Sequence, residues 1–541
     1  MKLRIIFLLT IIGSASWAQN NTENTATLIH MWGFLKYNHP MVASGVLDWD
    51  SEFIQKLNKI EQSPNDKVTN EIYLDWLSKL KTPAPCLSCP NVKVSDYSGN
   101  AATDWNNHVA LSAEVKSQLN YILENRNIGK NYYVQFHQKT KLPLFNNERK
   151  ITADGLPNSQ QRLLALARYW NAIQYFYPYK HLMSSDWNRV LVETIPLVQA
   201  ASTELEFQAV LVKMNKELAN SNAFVASELI FEKIGRKKVP FKIENIQDRW
   251  TVVKYENDSL AKLGALQLGD VIVQIDGATV DQWVTDKETW ISASNTPSLK
   301  SSLGATLLNG ESDTVNLQLM RQGVIVDLTQ KRFAIADYYW DSESEQNQLA
   351  WKIIDDKTIW LRVKDLGFDQ VNTFQTVATS KRNLILDLRD YKVPSGFKLA
   401  EFLVPRSKAF AQMIEPNTSY VGKFDKVVRK NEIPAVKKFF TGNTYVLIDE
   451  KTRGQAELLS LLFKGSDRIT LIGKGTSGTV GYTTKLVLLG SIDVFFTGVG
   501  VQNAEGGEVQ QKGIQPDINL EIPFADETQI AADILQVVQK P

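Results

Sequence analysis

The stretch YVLIDEKTRGQAELLSLL, residues 445–462, reads as a strand, a short polar turn and a largely apolar helix. A strand that turns sharply into a helix N-terminus is where many hydrolases present a nucleophile. Thr452 and Gln455 have capping-box spacing, which predicts Thr452 at the N-cap and Gly454 at the second helical position. Glycine has no side chain to attack with, so the turn has the form for nucleophilic chemistry without the nucleophile. Nearby hydroxyls are Thr452, Ser460 and Ser477, none with an evident base beside it in sequence. The five histidines stand at 30, 39, 108, 137 and 181, so none follows residue 181. The two cysteines form Cys86-Leu-Ser-Cys89, too few ligands for a metal site without a second pair nearby. A small local disulfide or a redox motif remains, and flanking prolines with no βαβ context disfavour the second. No metal or other cofactor is expected.

The 60 basic and 59 acidic residues give no electrostatic case for a nucleic-acid partner. MKLR is a positive leader, IIFLLTIIG an apolar core, and Ser16-Trp17-Ala18 a small-x-small cleavage site before Gln19. That segment predicts an exported protein, periplasmic or secreted, with no cysteine at the cleavage point for a lipid anchor. Removing Lys2 and Arg4 leaves 58 basic against 59 acidic residues. No apolar run is long enough to span a bilayer.

The elements that must position any site fall into several domains, as 541 residues exceed one core. An internal repeat marks the N-terminal half. WGFLKYNHP (32–40) matches WNAIQYFYP (170–178), and Asp48-Trp49 matches Asp186-Trp187, all at a shift of 138 residues. Both copies read as a helical hairpin whose aromatics pack helices together. After a signal peptide at 1–18, we expect a mainly helical domain over 19–155 and a helical segment over 156–235. From Val239 the texture changes to short strands and turns. KLGALQLGDVIVQIDGATV (262–280) resembles the core signature of PDZ domains, which predicts a PDZ-like β domain over 236–335; a generic small β module is the alternative. The resemblance gives Leu268, Gly269 and Asp270 a place in peptide binding. PDZ folds accept an extended peptide as an added strand. Over 336–541, strands at KTIWLRV, RNLILDLRD, TYVLIDE, RITLIG and SIDVFFTGVGVQ alternate with helices, which predicts an α/β layer. The helix after Arg453 is apolar nearly all round and should be buried on that sheet.

Six segments then occur in a telling order: RLLALARYWNAIQYFYPY (162–179), the PDZ-like unit, LILDLRDY (384–391), TRGQAELL (452–459), IGKGTSGTVG (472–481) and KGIQPDI (512–518). Together they resemble the tail-specific, or C-terminal processing, serine peptidases, a family that includes the tricorn core. The resemblance covers roughly 160–541 and implies a ClpP/crotonase-like α/β peptidase core. The 19–155 region looks like an extension carried by some exported bacterial members.

In that family the nucleophile is a serine in a T-x-S-x-x-E turn. Here the turn is Thr452-Arg453-Gly454-Gln455-Ala456-Glu457, with glycine in the serine slot. The tricorn-type base is a histidine in Asp-Ser-His or Asp-Gly-His. The matching run here is Asn220-Ser221-Asn222, and an asparagine amide is no general base near neutral pH. The bacterial lysine of T-x-G-K-G falls on Thr479 in Thr476-Ser477-Gly478-Thr479; Lys474 and Lys485 are out of register. The orienting glutamate falls on Gln510. Ser221 and Ser477 are the remaining hydroxyls near these slots. Losing a triad member costs on the order of 10⁴ to 10⁶ in rate. The expectation is a catalytically inactive homologue that binds peptides or protein C-termini through the PDZ-like unit and the old cleft. The alternatives are an active serine endopeptidase with a displaced nucleophile, and a structural partner of an active paralogue.

Overall fold

The computed structural model describes residues 21–89, 105, 110–149, 155–334, 349–389, 395–404, 408–430, 439–490, 492–522 and 526–539. The leader over 1–18 and His108 lie outside the described residues.

The repeat is visible as two helical hairpins, α1 (21–38) with α2 (Trp49–Glu61) and α3 (Ser159–Phe176) with α4 (Trp187–Ala200). Asp48 and Asp186 cap α2 and α4 by accepting from backbone N–H groups three residues on. Within each copy two tryptophans exchange indole-to-carbonyl hydrogen bonds. Trp32 donates to Trp49 at 2.9 Å and receives at 3.0 Å. Trp170 and Trp187 repeat this at 2.9 and 3.1 Å. The repeated Trp and Asp residues thus close each hairpin and cap its second helix.

The two copies also pack on each other at equivalent residues. Tyr37 meets Tyr175 edge to face, with ring centroids 5.3 Å apart. Gly33 faces Asn171 so closely that a Cβ on Gly33 would lie 1.8 Å from Asn171 Oδ1. Asn171 Nδ2 donates to the Ile29 and Ala167 carbonyls, each at 2.9 Å, and these carbonyls are themselves equivalent under the shift. Helices α1 and α3 are therefore related by an approximate two-fold axis. Residues on both sides of 155 share one hydrophobic core, which also takes in Leu486, Leu488, Val494 and Phe496. A disulfide joins Cys86 and Cys89, as the first of the two sequence readings expects.

After the short strand β1 (Phe224–Ala226), the chain enters a separate antiparallel module. Its strands β2 (Phe241–Ile246), β3 (Arg249–Tyr255), β4 (Val271–Ile275), β5 (Thr314–Arg321) and β6 (Val324–Lys331) lie in the order β6-β5-β4-β3-β2. Chain entry and exit run side by side where Lys237–Lys238 pairs with Phe333–Ala334. The module has its own core, including Phe241, Trp250, Ile272, Leu303 and Leu317. Strand β2 is an edge strand, and helix α5 (Thr296–Thr306) lies along it. A Cβ on Gly304 would stand 2.3 Å from the Ile243 carbonyl oxygen, so α5 covers the edge at that point.

The last third is two sheets packed about helices. The first has the order β7 (Trp351–Ile353), β8 (Thr358–Arg362), β9 (Asn383–Asp387), β12 (Asn443–Ile448), β13 (Ile469–Gly473), β16 (Ile518–Asn519), parallel except for β7. The second is antiparallel, in the order β11 (Phe424–Lys430), β10 (Ala409–Pro416), β15 (Ile492–Asn503), β14 (Tyr482–Leu489). Strand β1 pairs with β15 through Asp493–Phe495. Helix α6 (Gln455–Phe463) is buried from Ala456 to Phe463, as its apolar circumference predicts. Helix α7 (Glu527–Val538) covers the other face of the parallel sheet through Ile530, Ala531 and Ile534.

Candidate active site and the adjoining cleft

Strand β12 ends at Ile448 and the chain turns into α6 at Gly454. The backbone there has φ +60° and ψ −116°, a conformation that a side-chain-bearing L-residue adopts only under strain. A Cβ placed on Gly454 would meet nothing within 4 Å. The turn is thus shaped as a strained elbow that faces open space. Gly454 is the N-cap itself, and Glu457, not Gln455, is its partner at N3. The expected Thr452 cap does not form, because its hydroxyl closes the turn instead. Thr452 Oγ1 accepts from Asp449 N at 3.1 Å and donates to the Leu388 carbonyl at 2.8 Å.

Glu457 is fully buried and holds the elbow against the 476–479 loop. Its carboxylate accepts from Gly454 N (3.2 Å), Thr476 Oγ1 (2.6 Å), Gly478 N (2.7 Å) and Thr479 N (2.9 Å). Burial pushes its pKa up to about 7 against the pull of these four donors. With every oxygen engaged behind the elbow, Glu457 supports the turn rather than facing the cavity.

Gly454, Asn222 and Thr479, the residues at the expected nucleophile, base and lysine positions, come together. Gly454 N donates to the Thr479 carbonyl at 3.1 Å, and Asn222 Nδ2 lies 3.5 Å from the same oxygen. Gly454, Asn222 and Ser221 line one cavity of about 770 Å³, with an apolar wall that includes Phe224, Val225, Trp290 and Ile291. Gln455 opens onto it as well. Strand β1 carries Phe224 and Val225 into this cavity and pairs with β15 alone among the described residues.

Where a base would sit, there is a chain of neutral groups. Thr479 Oγ1 lies 2.8 Å from Ser294 Oγ and 2.9 Å from Ser477 Oγ, which is 2.9 Å from Ser298 Oγ. Ser221 Oγ accepts from Ser294 N at 3.0 Å. Gln510 Nε2 donates to Ser294 Oγ at 3.2 Å. Asn220 Nδ2 donates to Thr497 Oγ1 at 2.8 Å, behind the site. Among the described residues no imidazole, amine or carboxylate hydrogen-bonds to these side-chain hydroxyls. The described histidines lie elsewhere: His30 stacks on Trp170, His39 is buried in the helical region, His137 contacts Thr140, and His181 meets Glu508. Ser460 donates to its own helix at Ala456 O, Lys474 pairs with Glu521, and Lys485 pairs with Asp493.

Sequence reading missed Ser294, Asn295 and Ser298, which arrive from the inserted module. Asn295 caps α5 and donates to the Ser477 and Gln511 carbonyls at 3.0 and 2.8 Å. The Asn-Thr-Pro-Ser run signals a helix start, but nothing in it announces a partner 182 residues away. Leu268, Gly269 and Asp270 lie on the turn before β4 and line neither this cavity nor its neighbour. Asp270 is engaged by Gln267 N and, at two contacts of 2.7 Å, by Arg321.

A second cavity of about 820 Å³ lies between β2 and α5 of the module and the elbow loop of the core. Ser221, Ser302, Lys364 and Arg453 line both cavities. Across this gap Lys451 of the elbow loop pairs with Glu244 of β2. Among the described residues no cluster of three or more His, Cys, Asp or Glu is disposed to hold a metal ion. No helix there is long and apolar enough to cross a membrane.

Residues 364–520, which contain the elbow, the four strands β10, β11, β14 and β15 and all of the parallel sheet but β7 and β8, match the model of peptidase family S41. This part of the chain therefore carries a peptidase family S41 domain. Among solved structures, mature CPAF complexed with lactacystin is similar over 71% of this chain and 98% of its own, with a TM-score of 0.55 and 14% identity. The photosystem II D1 C-terminal processing protease is similar over 69% of this chain and 96% of its own, at 17% identity and a TM-score of 0.43. At such identity the likeness to CPAF is one of fold. No curated protein matches the chain.

Proposed function

We propose that this chain is a peptidase homologue that binds extended peptides and unfolded protein C-termini without cleaving them. The observation that carries the reading is that Gly454 and Asn222 line one cavity and both meet the Thr479 carbonyl, which brings the three expected catalytic positions together without a catalytic side chain. The frame of the elbow persists, and neither a nucleophile nor a base stands in it. Edge strand β1 and the apolar wall beside it offer an extended chain both backbone pairing and side-chain burial. Lys364 and Arg453 on the cavity wall suit a terminal carboxylate, which would occupy the space in front of Gly454.

The module between 236 and 335 is taken as PDZ-like. Peptide addition at β2 would require α5 to move away from Ile243, so the elbow cavity is the readier site. Export to the periplasm or outside the cell accords with the leader and with the Cys86–Cys89 disulfide. A displaced-nucleophile peptidase finds less support. Ser221, Ser292, Ser302 and Thr483 line the cavity; Ser221 Oγ meets Ser294 and Ser292 Oγ donates to the Asn220 carbonyl, and neither of these partners is a base. Assembly with an active paralogue through the repeated helices also finds little, since α1 and α3 are spent on each other.

The purified protein is expected to resist a serine-reactive fluorophosphonate and to leave casein intact while binding unfolded polypeptide. The double variant Gly454→Ser with Asn222→His is expected to gain labelling, as is Gly454→Ser with Thr479→Lys to a lesser degree. Labelling and turnover by the parent protein would overturn the reading.

A further inference from the structure

Helix α3 ends at Phe176, and Tyr177-Pro178-Tyr179 carries the chain from the repeated hairpin to the core. Tyr179 is fully buried, and its hydroxyl stands between two segments of the core rather than among the helices. It accepts from Val501 N at 2.6 Å and reaches the Val480 and Val501 carbonyls at 3.1 and 3.3 Å. Val501 belongs to β15, and Val480 lies in the loop that leads into β14.

This placement coincides with the point where the β14–β15 ladder stops. The last pair on this side is Tyr482 with Val499. Carried two residues further, the same register would set Val480 against Val501, where the Val501 N–H would bond the Val480 carbonyl directly. The Tyr179 hydroxyl takes the place of that bond, accepting from the one group and donating toward the other. Two glycines make the room. Gly481 takes the chain out of the strand at φ +129°, where a Cβ would lie 2.5 Å from the Val499 carbonyl oxygen. A Cβ on Gly500 would press on Pro178 and on the Tyr179 ring at 3.1 Å. A hydroxyl inserted between two backbones keeps them further apart than a direct bond does, so the loop before Gly481 is held off β15.

The loop held off in this way is the one that faces the elbow. Thr479, next to Val480, presents its carbonyl to Gly454 N at 3.1 Å and to Asn222 Nδ2. The segment after α3 grips the same loop a second time. The Leu182 carbonyl accepts from Gln511 Nε2 at 3.1 Å, and Gln511 N donates to the Gly478 carbonyl at 2.8 Å. Residues 478–480 are thus held by Tyr179 directly and by Leu182 through Gln511.

We infer that Tyr179 is a positioning residue of the elbow site: its hydroxyl, wedged between β15 and Val480, holds the Thr479 carbonyl against the Gly454 N–H. This role is independent of what the cavity binds, and it gives the end of the 162–179 segment a part in the site.

Arg453-Gly454 is the one Arg-Gly pair in the sequence. The full chain labelled with carbonyl-13C arginine and 15N glycine therefore gives a single carbonyl-filtered amide signal, that of Gly454. Tyr179→Phe keeps the ring and removes the hydroxyl. The Gly454 signal is expected to move upfield in its proton dimension as the bond to the Thr479 carbonyl lengthens. Its exchange with deuterated water is expected to quicken by about fivefold or more, the size of one weakened hydrogen bond. Gly500→Ala, which presses on the ring from β15, is expected to displace the same signal. Tyr169→Phe is the control, since it removes another buried hydroxyl of the 162–179 segment, one bonded to Asn215, and is expected to leave the signal in place. An unmoved signal in either Tyr179→Phe or Gly500→Ala would overturn the inference. An equal shift in Tyr169→Phe would also overturn it, by marking a general loosening of the fold.

Discussion

Glu457 is the side chain on which the elbow depends most. Replacing it with glutamine places an NH2 group among N–H donors that need an acceptor. Leaving one or two buried donors unsatisfied costs about 1–3 kcal/mol each, so Glu457→Gln should lower the urea midpoint markedly with m unchanged. The same carboxyl carries a pH signature. Its folded pKa of about 7 lies above its ordinary 4.5, so the native state binds the proton more tightly than the unfolded chain. Its contribution therefore falls as pH rises from about 4.5 to about 7. His39 has the opposite slope, because burial lowers its pKa to about 4 and protonation between about 6.5 and 4 favours unfolding. These slopes oppose one another over the shared range. Urea denaturation of Glu457→Gln from pH 4.5 to 7 should show stability rising more steeply with pH than in the parent; an unchanged profile would contradict the assignment. At this scale the meeting of Gly454, Asn222 and Thr479 was readable in the residues, since they fall in register with motifs of defined spacing. The cap was not. Thr452-x-x-Gln455 fits a capping box as well as any true one, and only the positive φ at Gly454 moves the helix start to Gly454 and Glu457.

Among the elements, α1 lies tightly against α3 at Gly33. Gly33→Ala would drive a methyl into the Asn171 amide, whose nitrogen already bridges two carbonyls and cannot turn away without losing them. A loss of about 1–3 kcal/mol is expected from overpacking of this kind, and Gly33→Ala with Asn171→Ala should recover part of it. A calorimetric cycle in which the two changes simply add would deny the contact. The strands of the core and the repeat itself were legible, because β-rich apolar runs and a fixed shift of Trp, Tyr and Pro are local signals. The covering of β2 by α5 was not legible. It follows from a glycine at 304 that lets a helix lie against a carbonyl 61 positions earlier, and no pattern within either segment reports that approach.

For the molecule as a whole, the N-terminal extension is continuous with the rest of the fold. Helix α3 is buried from Arg162 to Phe176, partly on strands of the second sheet and partly on α1. Removing residues 19–155 would uncover an apolar helix face. The truncated protein is expected to dimerise or aggregate, as read by light scattering after size exclusion, and a well-behaved monomer as stable as the parent would show that the extension is dispensable. Domain texture, charge balance and the order of motifs were all available from sequence. The second cavity was not, because its walls come from β2 and α5 of the insertion and from the elbow loop more than a hundred residues later.

The pairing of α1 with α3 has one more consequence. Two identical subunits meeting across a two-fold axis must present the same residue at the axis, glycine against glycine or asparagine against asparagine. Carrying both halves in a single chain lifts that constraint. One half holds Gly33 and the other Asn171, a lock and its recess, and each can change without altering its counterpart. The approximate symmetry thus gives this protein a built-in partner of fixed one-to-one stoichiometry, independent of concentration, and one that two copies of a common gene product could not have made asymmetric.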